Sequence, residues 1–263
     1  MLLGEIIGVV IPAAGTGSRM GGDRPKQFMD LGGVPVLLRT VLAFQRSAVV
    51  DVIVIAARSS EIPAVRAMLR MSPCPKVVSV VRGGRHRQDS VLNGLRELGK
   101  HGAGIVLIHD AVRPFVTEKM IMDVSMAVIR YGGALLAVHP KDTLKVSTGG
   151  DRVGKTLPRE GLWLAQTPQA FRMNIIMEAS LRAKAHGYLA TDDAALVEAC
   201  GVDVRILEGS YENIKITTLE DMDLARVIAG RTGTPRGRRM NSRARVRSRR
   251  RRAAPGRPRH PRK

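Results

Sequence analysis

Two positively charged residues lie in a glycine-rich stretch near the start of the chain. Residues 12–26 read PAAGTGSRMGGDRPK and follow a short β-branched run at residues 9–11. Glycine lets successive backbone N–H groups line a concavity around phosphate oxygens without a Cβ in the way. Arg19 and Lys26 would add positive charge at the edge of that concavity. These residue types and spacings indicate an anion-binding loop.

The glycine spacing fits neither of the common phosphate-loop motifs. A dinucleotide fingerprint needs a glycine three residues after Gly17, but the next one is Gly21. A Walker A loop ends in Gly-Lys-Ser/Thr, whereas this loop ends in GGDRPK at residues 21–26. Taken alone, the loop therefore leaves a glycine-rich surface turn open as the alternative.

Short apolar strands alternate with longer helices over most of the chain. The apolar residues 1–7 lack the basic start of a signal peptide and, continuing into residues 9–11, are predicted as the first strand. Further strands are expected at residues 49–57, 77–81, 104–109, 134–138, 203–208 and 213–217. Helices are expected at residues 35–44, 60–71, 88–98, 117–130, 174–186, 192–200 and 219–229.

This alternation predicts an α/β fold with a Rossmann-like, mostly parallel sheet that has helices on both faces. In such sheets ligands bind beyond the carboxyl ends of the strands. The glycine-rich loop, Gly83, Gly84 and Asp110 all follow predicted strands. Because one carboxylate with phosphate oxygens is a usual arrangement for Mg²⁺, Asp110 is a candidate metal ligand. The alternative is that Asp110 caps the turn after it.

The segment from about residue 140 to residue 162 breaks the alternation. Two short strands at residues 141–146 and 152–157, joined across Gly149 and Gly150, predict a β-hairpin that extends from the sheet.

The formal charge of +20 is concentrated at the C-terminal end. Residues 231–263 hold fifteen Lys or Arg and no acidic residue, so residues 1–230 carry a net charge of only +5. We therefore expect one domain over residues 1–230 and a disordered basic tail over residues 231–263. Such a tail would bind polyanions electrostatically. The alternative is a non-essential or aberrantly translated extension. A nucleic-acid-binding protein that acts through the tail is thus an alternative of a different class, although the chain has no aromatic interleaving for base stacking.

The cysteines and the hydropathy indicate in which compartment the protein is expected to act. Cys74 and Cys200 have no metal-type spacing and indicate reduced thiols in a cytoplasmic protein. No apolar run approaches the roughly 20 residues that span a bilayer, so we expect no membrane partner.

Five segments, taken in order, resemble one family. They are PAAGTGSRM with PKQF at residues 12–20 and 25–28, HDAVRP at 109–114, TPQAF at 167–171, TDD at 191–193 and NIKIT at 213–217. This set resembles the cytidylyltransferases that act on sugar-alcohol phosphates, above all those for 2-C-methyl-D-erythritol 4-phosphate. The resemblance covers about residues 5–230 and leaves the tail out.

The resemblance implies transfer of CMP from CTP to methylerythritol phosphate, with release of pyrophosphate, in the non-mevalonate route to isoprenoid precursors. A ribitol 5-phosphate cytidylyltransferase is the nearest alternative, because its nucleotide site would look alike. Both reactants are anionic, so catalysis is chiefly positioning and neutralisation of charge. The resemblance also implies a homodimer in which the hairpin arm carries Arg159 to the neighbouring site.

By the same resemblance, the site residues fall into groups. Arg19 and Lys26 would stabilise the charge on the triphosphate, while Arg159 and Lys215 would orient the acceptor phosphate. The nucleotide would contact Ala13, Ala14, Gly15, Gly17, Gly83, Gly84, Ser90, Asp110 and Ala111, and Asp110 would bind Mg²⁺. The acceptor would contact Arg113, Thr143, Thr167, Thr191 and Asp192.

Several of these residues have plain structural alternatives. Arg113 would equally pair with Asp110, and lone threonines are more often turn or cap residues than ligands. Arg85 is given no role. The attacking phosphate oxygen is already ionised near neutral pH, so no general base is needed. His86, His109 and His139 are therefore expected to be structural or peripheral.

Overall fold

The computed structural model describes residues 1–15 and 25–231. Gly17 and Arg19 of the glycine-rich loop lie outside these residues, and so does the basic tail from residue 232 onward. The predictions for those two segments therefore stay predictions.

Within the described residues, seven of nine strands form one central sheet. The nine are β1 (Ile7–Pro12), β2 (Val52–Ala57), β3 (Val77–Arg82), β4 (Ile105–Ile108), β5 (Gly133–Val138), β6 (Leu144–Ser147), β7 (Val153–Leu157), β8 (Leu164–Arg172) and β9 (Arg205–Glu208). The sheet order is β3-β2-β1-β4-β8-β5-β9. Strand β8 runs antiparallel to β4 and β5, while the other neighbouring pairs are parallel. The sheet is mostly parallel, as predicted.

Helices cover both faces of this sheet. They are α1 (Val36–Arg46), α2 (Ile62–Met71), α3 (Arg87–Lys100), α4 (Glu118–Tyr131), α5 (Met173–Ala185), α6 (Asp193–Glu198) and α7 (Leu219–Arg231). A short 3-10 helix spans Lys26–Phe28. Successive strand residues point to opposite faces, and in β1 Val9 packs with α1, α2 and α4 while Val10 packs with α3, α5 and α6. The prediction of helices on both faces is confirmed.

The helix ends follow ordinary capping rules. Thr117, predicted as an N-cap, accepts a hydrogen bond from the Met120 backbone N–H at 3.3 Å. Helix α4 ends at Gly132, whose φ of 84° lies in the left-handed region that glycine adopts readily. Helix α1 follows Pro35. The proline ring fixes φ, and the missing N–H costs no hydrogen bond at the start of a helix.

Strand β8 was missed by the sequence analysis. Pro168 argues against a central strand because it has no N–H for the ladder. The structure accommodates this proline at an irregularity, since the pairing between β5 and β8 shifts between Leu135 and Ala137. Beyond it, Gln169 pairs with both Leu135 and Ile108. An antiparallel strand thus lies in the middle of the sheet and brings residues 164–169 beside the end of β4.

Two other strand predictions are wrong. Residues 213–217 form no strand, because this segment crosses the end of β4 and makes a single backbone hydrogen bond there, from Ile216 N–H to the Val112 carbonyl at 3.0 Å. Residues 1–6 form a turn closed between Leu2 and Glu5, so the first strand begins only at Ile7.

The predicted hairpin is present and separate from the central sheet. Strands β6 and β7 pair antiparallel, with Val146 opposite Lys155. The first strand begins at Leu144, three residues later than predicted. Val146 and Val153 are exposed on this hairpin arm. Among the described residues no helix is long and apolar enough to cross a bilayer.

Candidate active site

A cavity of about 630 Å³ opens at the carboxyl ends of β1 to β4, where open parallel sheets bind their ligands. Backbone lines one side of it, at Ala13, Ala14, Gly15 and Gly84. Its charged lining is strongly cationic: Lys26, Arg58, Arg85, Arg87 and Lys215 contribute positive side chains, and Asp110 contributes a carboxylate. Such a lining suits an anionic ligand.

The start of the glycine-rich loop is fixed by side chains from two neighbouring elements. Ala13 N–H continues the sheet by donating to the Ala56 carbonyl at 2.7 Å. Gln27, which is buried, donates from Nε2 to the Ala13 carbonyl at 3.1 Å, and Arg58 donates from Nε to the Ala14 carbonyl at 3.0 Å. The backbone of residues 13–15 therefore has a defined position at the cavity wall.

The adjoining part of the wall is formed by the turn between β3 and α3. Gly83 N–H donates to the Ala57 carbonyl at 2.7 Å, and the Ser90 hydroxyl accepts from Gly84 N–H at 3.0 Å. A Cβ added to Gly83 would lie 2.5 Å from the Ala14 Cβ. The two loops thus touch directly, which is why only glycine fits at this position. Predicted nucleotide residues from both loops line the same cavity.

Asp110 lies directly after β4 among three cations. Its Oδ2 is 3.0 Å from Lys215 Nζ and 3.4 Å from Arg113 Nε, and its Oδ1 is 3.3 Å from Arg87 Nε. Burial alone would raise the pKa of Asp110, but Arg87, Lys215 and Arg113 together hold it well below its usual range. The carboxylate is therefore ionised near neutral pH.

Arg87 continues this charge cluster away from the cavity. Its Nη1 lies 2.7 Å from Oδ2 of Asp193, a buried residue at the start of α6. Burial would lower the pKa of Arg87, but Asp193 and Asp110 raise it above its usual value. Arg113 is also held from two sides, because its Nη1 donates to the Asn213 carbonyl at 2.8 Å. The predicted pairing of Arg113 with Asp110 is therefore present.

Two of the predicted acceptor residues have structural partners in the described chain. The Thr167 hydroxyl, buried on β8, accepts from Asp110 N–H at 3.1 Å. Asp192 is the N-cap of α6 and accepts from Ala195 N–H at 3.0 Å, while its other oxygen accepts from Gln169 Nε2 at 2.7 Å. Thr191 and Thr143 are exposed. Thr167 thus contacts Asp110, which lines the cavity.

Arg159 is not brought to the cavity of its own chain. It lies exposed after the hairpin arm and donates from Nη1 to the Lys141 carbonyl at 2.7 Å. The other residues of the predicted cationic set that the structure describes, Lys26 and Lys215, both line the cavity.

The three histidines behave differently from one another. His109 is fully buried, donates from Nε2 to the Arg113 carbonyl at 2.9 Å and packs edge-on against Phe44. Burial lowers the pKa of His109 to about 4, so it is neutral and structural. His139 stacks on Trp163 beside the arm. His86 lines the cavity rim, at the start of α3.

The sequence analysis missed several residues of this site. Arg58, Gln27 and Arg87 line the cavity, as does Arg85, which was given no role. Arg87 could have been found from its place three residues after Gly84 and just before the helix predicted from residue 88, since ligands bind beyond the strand ends. Asp193 was harder to identify from the sequence, because its ion-pair partner Arg87 is more than 100 residues away in the chain.

The cavity residues fit a magnesium ion only in part. Asp110 supplies an ionised carboxylate that lines the cavity, which matches a Mg²⁺ held by one carboxylate and substrate phosphates. Within residues 1–15 and 25–231 no group of three His, Cys, Asp or Glu side chains could hold a metal ion without a ligand. Substrate oxygens would have to complete the coordination, and the ion would compete with Lys215 for Oδ2.

Known proteins resemble this chain in both sequence and fold. A family model for 2-C-methyl-D-erythritol 4-phosphate cytidylyltransferase (IspD) matches residues 7–231. A relative of that name from Geobacter metallireducens is 50% identical over 219 residues, which cover 82% of this chain and 94% of the relative.

Two solved structures give the same likeness. The 2-C-methyl-D-erythritol 4-phosphate cytidylyltransferase of Thermus thermophilus is 34% identical, with a TM-score of 0.69 over 84% of this chain and 98% of that one. The 4-diphosphocytidyl-2C-methyl-D-erythritol synthase of Anaerococcus prevotii is 29% identical, with a TM-score of 0.75 over 86% and 99% of the two chains.

Proposed function

The chain belongs to the 2-C-methyl-D-erythritol 4-phosphate cytidylyltransferase family, and on this premise we propose how its cationic cavity works. The protein is a nucleotidyltransferase that transfers CMP from CTP to 2-C-methyl-D-erythritol 4-phosphate. The products are 4-diphosphocytidyl-2-C-methyl-D-erythritol and pyrophosphate, in isoprenoid precursor biosynthesis. The family membership does not favour the ribitol phosphate or nucleic-acid alternatives.

The observation that supports a place for CTP is the concentration of positive charge around the two backbone walls. CTP would lie against residues 13–15 and 83–84, with its phosphates towards Lys26 and Asp110. Cations held in place at such a site stabilise phosphate charge without first having to reorganise. Arg19, which lies outside the described residues, would act with Lys26.

The reaction is an in-line displacement at the α-phosphorus of CTP. An oxygen of the acceptor phosphate forms the new P–O bond, the bond from the α-phosphorus to the bridging oxygen breaks, and pyrophosphate leaves with that electron pair. Lys215 would hold the acceptor phosphate beside the α-phosphate, because its Nζ lies at the cavity wall next to Asp110. The attacking oxygen is already ionised, so His109, neutral and buried, has no proton to remove.

A divalent cation belongs to this proposal, with Asp110 as its protein ligand. When bound, such an ion would neutralise charge on the triphosphate. Competition with the three cations around Asp110 means that the carboxylate would share its oxygens between protein and metal. The chain's own contribution is to keep that carboxylate ionised and in place.

The active unit would be a homodimer, with Arg159 on the hairpin arm completing the acceptor site of the neighbouring subunit. The basic tail would bind polyanions. Removal of residues 231–263 tests this, because it should abolish salt-sensitive polyanion binding. The protein would act in the cytoplasm.

The test of the proposed function is pyrophosphate release from CTP, measured separately with methylerythritol phosphate and with ribitol 5-phosphate. We expect turnover with the first acceptor. Lys26→Ala and Lys215→Ala should each lower kcat by about 100- to 1,000-fold, because each removes a cation aimed at developing charge. Lys184→Ala, at an exposed position on α5, is the matched control and should leave kcat unchanged. Turnover with ribitol phosphate alone, or full activity of Lys26→Ala, would contradict the proposal.

A further inference from the structure

A chain of ion pairs joins the end of β4 to the start of α6. Arg87, the first residue of α3, contacts Asp110 at 3.3 Å through Nε and Asp193 at 2.7 Å through Nη1. The two carboxylate side chains are only 9% and 1% exposed. One guanidinium therefore connects the end of β4 with the first turn of α6.

Stability alone is a weak reason for such an arrangement. Taking charges out of water costs several kcal/mol per ion, and apolar replacements of buried ion pairs are often as stable or more stable. What an arginine supplies that an apolar residue does not is a rigid, planar fork with donors pointing in two directions. Different nitrogens of Arg87 approach different carboxylates here: Nε donates a hydrogen bond to Asp110 Oδ1, and Nη1 forms an ion pair with Asp193 Oδ2.

The segment before α6 is attached to α3 at a second point, next to the first. Gln88 donates from Nε2 to the Tyr188 carbonyl at 3.1 Å and accepts from Ala190 N–H at 3.3 Å. Gln169 of β8 accepts from Asp193 N–H at 3.0 Å on the other side. The first two residues of α3 thus hold residues 188–193, which include the predicted acceptor residues Thr191 and Asp192.

We propose that Arg87 is a positioning residue that holds the Asp110 carboxylate at the cavity and ties it, through Asp193, to residues 188–193. The nucleotide side and the acceptor side of the site then keep one relative arrangement during the transfer. This inference rests on the proposed function, which assigns Asp110 to the nucleotide side and Thr191 to the acceptor side. In-line displacement is sensitive to such an arrangement, because small errors in the distance and angle of attack slow it strongly.

A direct contact between Arg87 and a substrate phosphate is the competing explanation, because this side chain lines the cavity and is 33% exposed. The two explanations differ at Asp193, which is buried behind Arg87. If Arg87 acts only by binding a phosphate of CTP, neutralising Asp193 should raise the KM for CTP, because Asp193 helps to hold the guanidinium. If the bridge positions Asp110, neutralising Asp193 should lower kcat and leave the KM for CTP nearly unchanged.

The experiment combines Arg87→Lys, Asp193→Asn and the double variant. Lysine has a single charged nitrogen, so it would lose the contact with one of the two carboxylates. We expect kcat to fall about 10- to 100-fold for Arg87→Lys and about 10-fold for Asp193→Asn, with the KM for CTP changed by less than about threefold. The double variant should be no slower than Arg87→Lys, because both changes break the same bridge.

The matched control is the exposed ion pair between Arg226 and Asp223 on α7. Arg226→Lys and Asp223→Asn repeat the two chemical changes on the surface, and both should leave kcat unchanged. Losses that multiply in the Arg87→Lys/Asp193→Asn double variant would overturn the proposal, and so would wild-type kcat in Asp193→Asn.

A second measurement keeps this inference separate from the proposed function. Hydrogen–deuterium exchange of backbone amides in residues 188–197 is expected to be faster in Arg87→Lys and in Asp193→Asn than in the wild type. Exchange does not depend on turnover, so it tests the bridge even if the wild type fails to use methylerythritol phosphate. Unchanged exchange in Asp193→Asn would overturn the bridge. If Arg87→Lys does not fold, Asp193→Asn alone decides the result.

Discussion

Asp110 and His109 are neighbours in the chain with opposite electrostatic surroundings. Asp110 is kept charged by three cations, whereas His109 is kept neutral because burial outweighs its contacts with charged groups. The histidine ring instead supports the turn after β4 by donating to the Arg113 carbonyl. A neutral, buried histidine beside a charged carboxylate makes the fold sensitive to acid at this residue.

Stability should therefore fall between about pH 6.5 and pH 4 because of His109. Its pKa is about 4 when folded and near 6.5 when unfolded, so the unfolded chain binds the extra proton across this range. The contribution of neutral His109 to the free energy of unfolding is fully present above pH 6.5, and about 3 kcal/mol of it is lost by pH 4. Urea unfolding at several pH values, without divalent ions, measures it. His109→Gln should flatten this part of the pH profile.

The control for this prediction is His186→Gln, at an exposed position after α5. Its pH profile should run parallel to that of the wild type. An unchanged slope in His109→Gln would show that other groups cause the acid sensitivity.

Helix α3 is the element that brings the site residues to the sheet. Arg87, Gln88 and Ser90 come from its first turn, so their positions depend on how closely the helix packs on β1. Gly94 makes this close approach possible: a Cβ there would lie 2.5 Å from Cγ1 of Val10, which is fully buried. The position of the helix is thus set by a contact away from the cavity.

Gly94→Ala should destabilise the protein by about 1–2 kcal/mol, although alanine is the better helix former. Overpacking a well-packed core costs about 1–3 kcal/mol, which outweighs a gain of about 0.5–1 kcal/mol in helix propensity. Gly99→Ala in the same helix is the control, because a Cβ there meets nothing within 4 Å. That variant should be neutral or up to about 1 kcal/mol more stable. Chemical unfolding of both variants measures the difference, and equal stabilities would refute the packing argument.

The hairpin arm gives the whole molecule an exposed apolar surface. Val146 and Val153 are 44% and 64% exposed there, and Arg159 nearby lies outside the cavity of its own chain. An arm that meets no site of its own subunit fits the proposed homodimer, in which a two-fold axis would place each arm beside the other subunit.

Subunit complementation tests this arrangement. Lys26→Ala and Arg159→Ala should each be nearly inactive alone. If Arg159 serves the neighbouring site, a refolded equimolar mixture should regain about a quarter of wild-type activity, because half of the dimers are mixed and each has one intact site. A mixture no more active than its components, at a concentration where light scattering shows a dimer, would mean that Arg159 does not act across subunits.

Much of the fold followed from the sequence because local patterns decide it. Alternating apolar strands and helices predicted the sheet, the helices on both faces and the hairpin. The same reasoning missed β8, since Pro168 and the polar residues Gln166, Thr167 and Gln169 hide a strand that is buried among other strands. It also assigned residues 213–217 to a strand, because alternating apolar residues do not show whether a neighbouring strand has a free edge to pair with.

By itself, the sequence determined the fold class through its local strand and helix patterns. Its resemblance to one family supplied the family and about half of the residues that line the cavity. Only the tertiary structure decided what surrounds Asp110. Its partners Arg87 and Lys215 lie 23 and 105 positions away in the chain, and Asp193 reaches it only through Arg87. Ion pairs between distant residues depend on where the backbone brings the charges, and no local pattern encodes that distance.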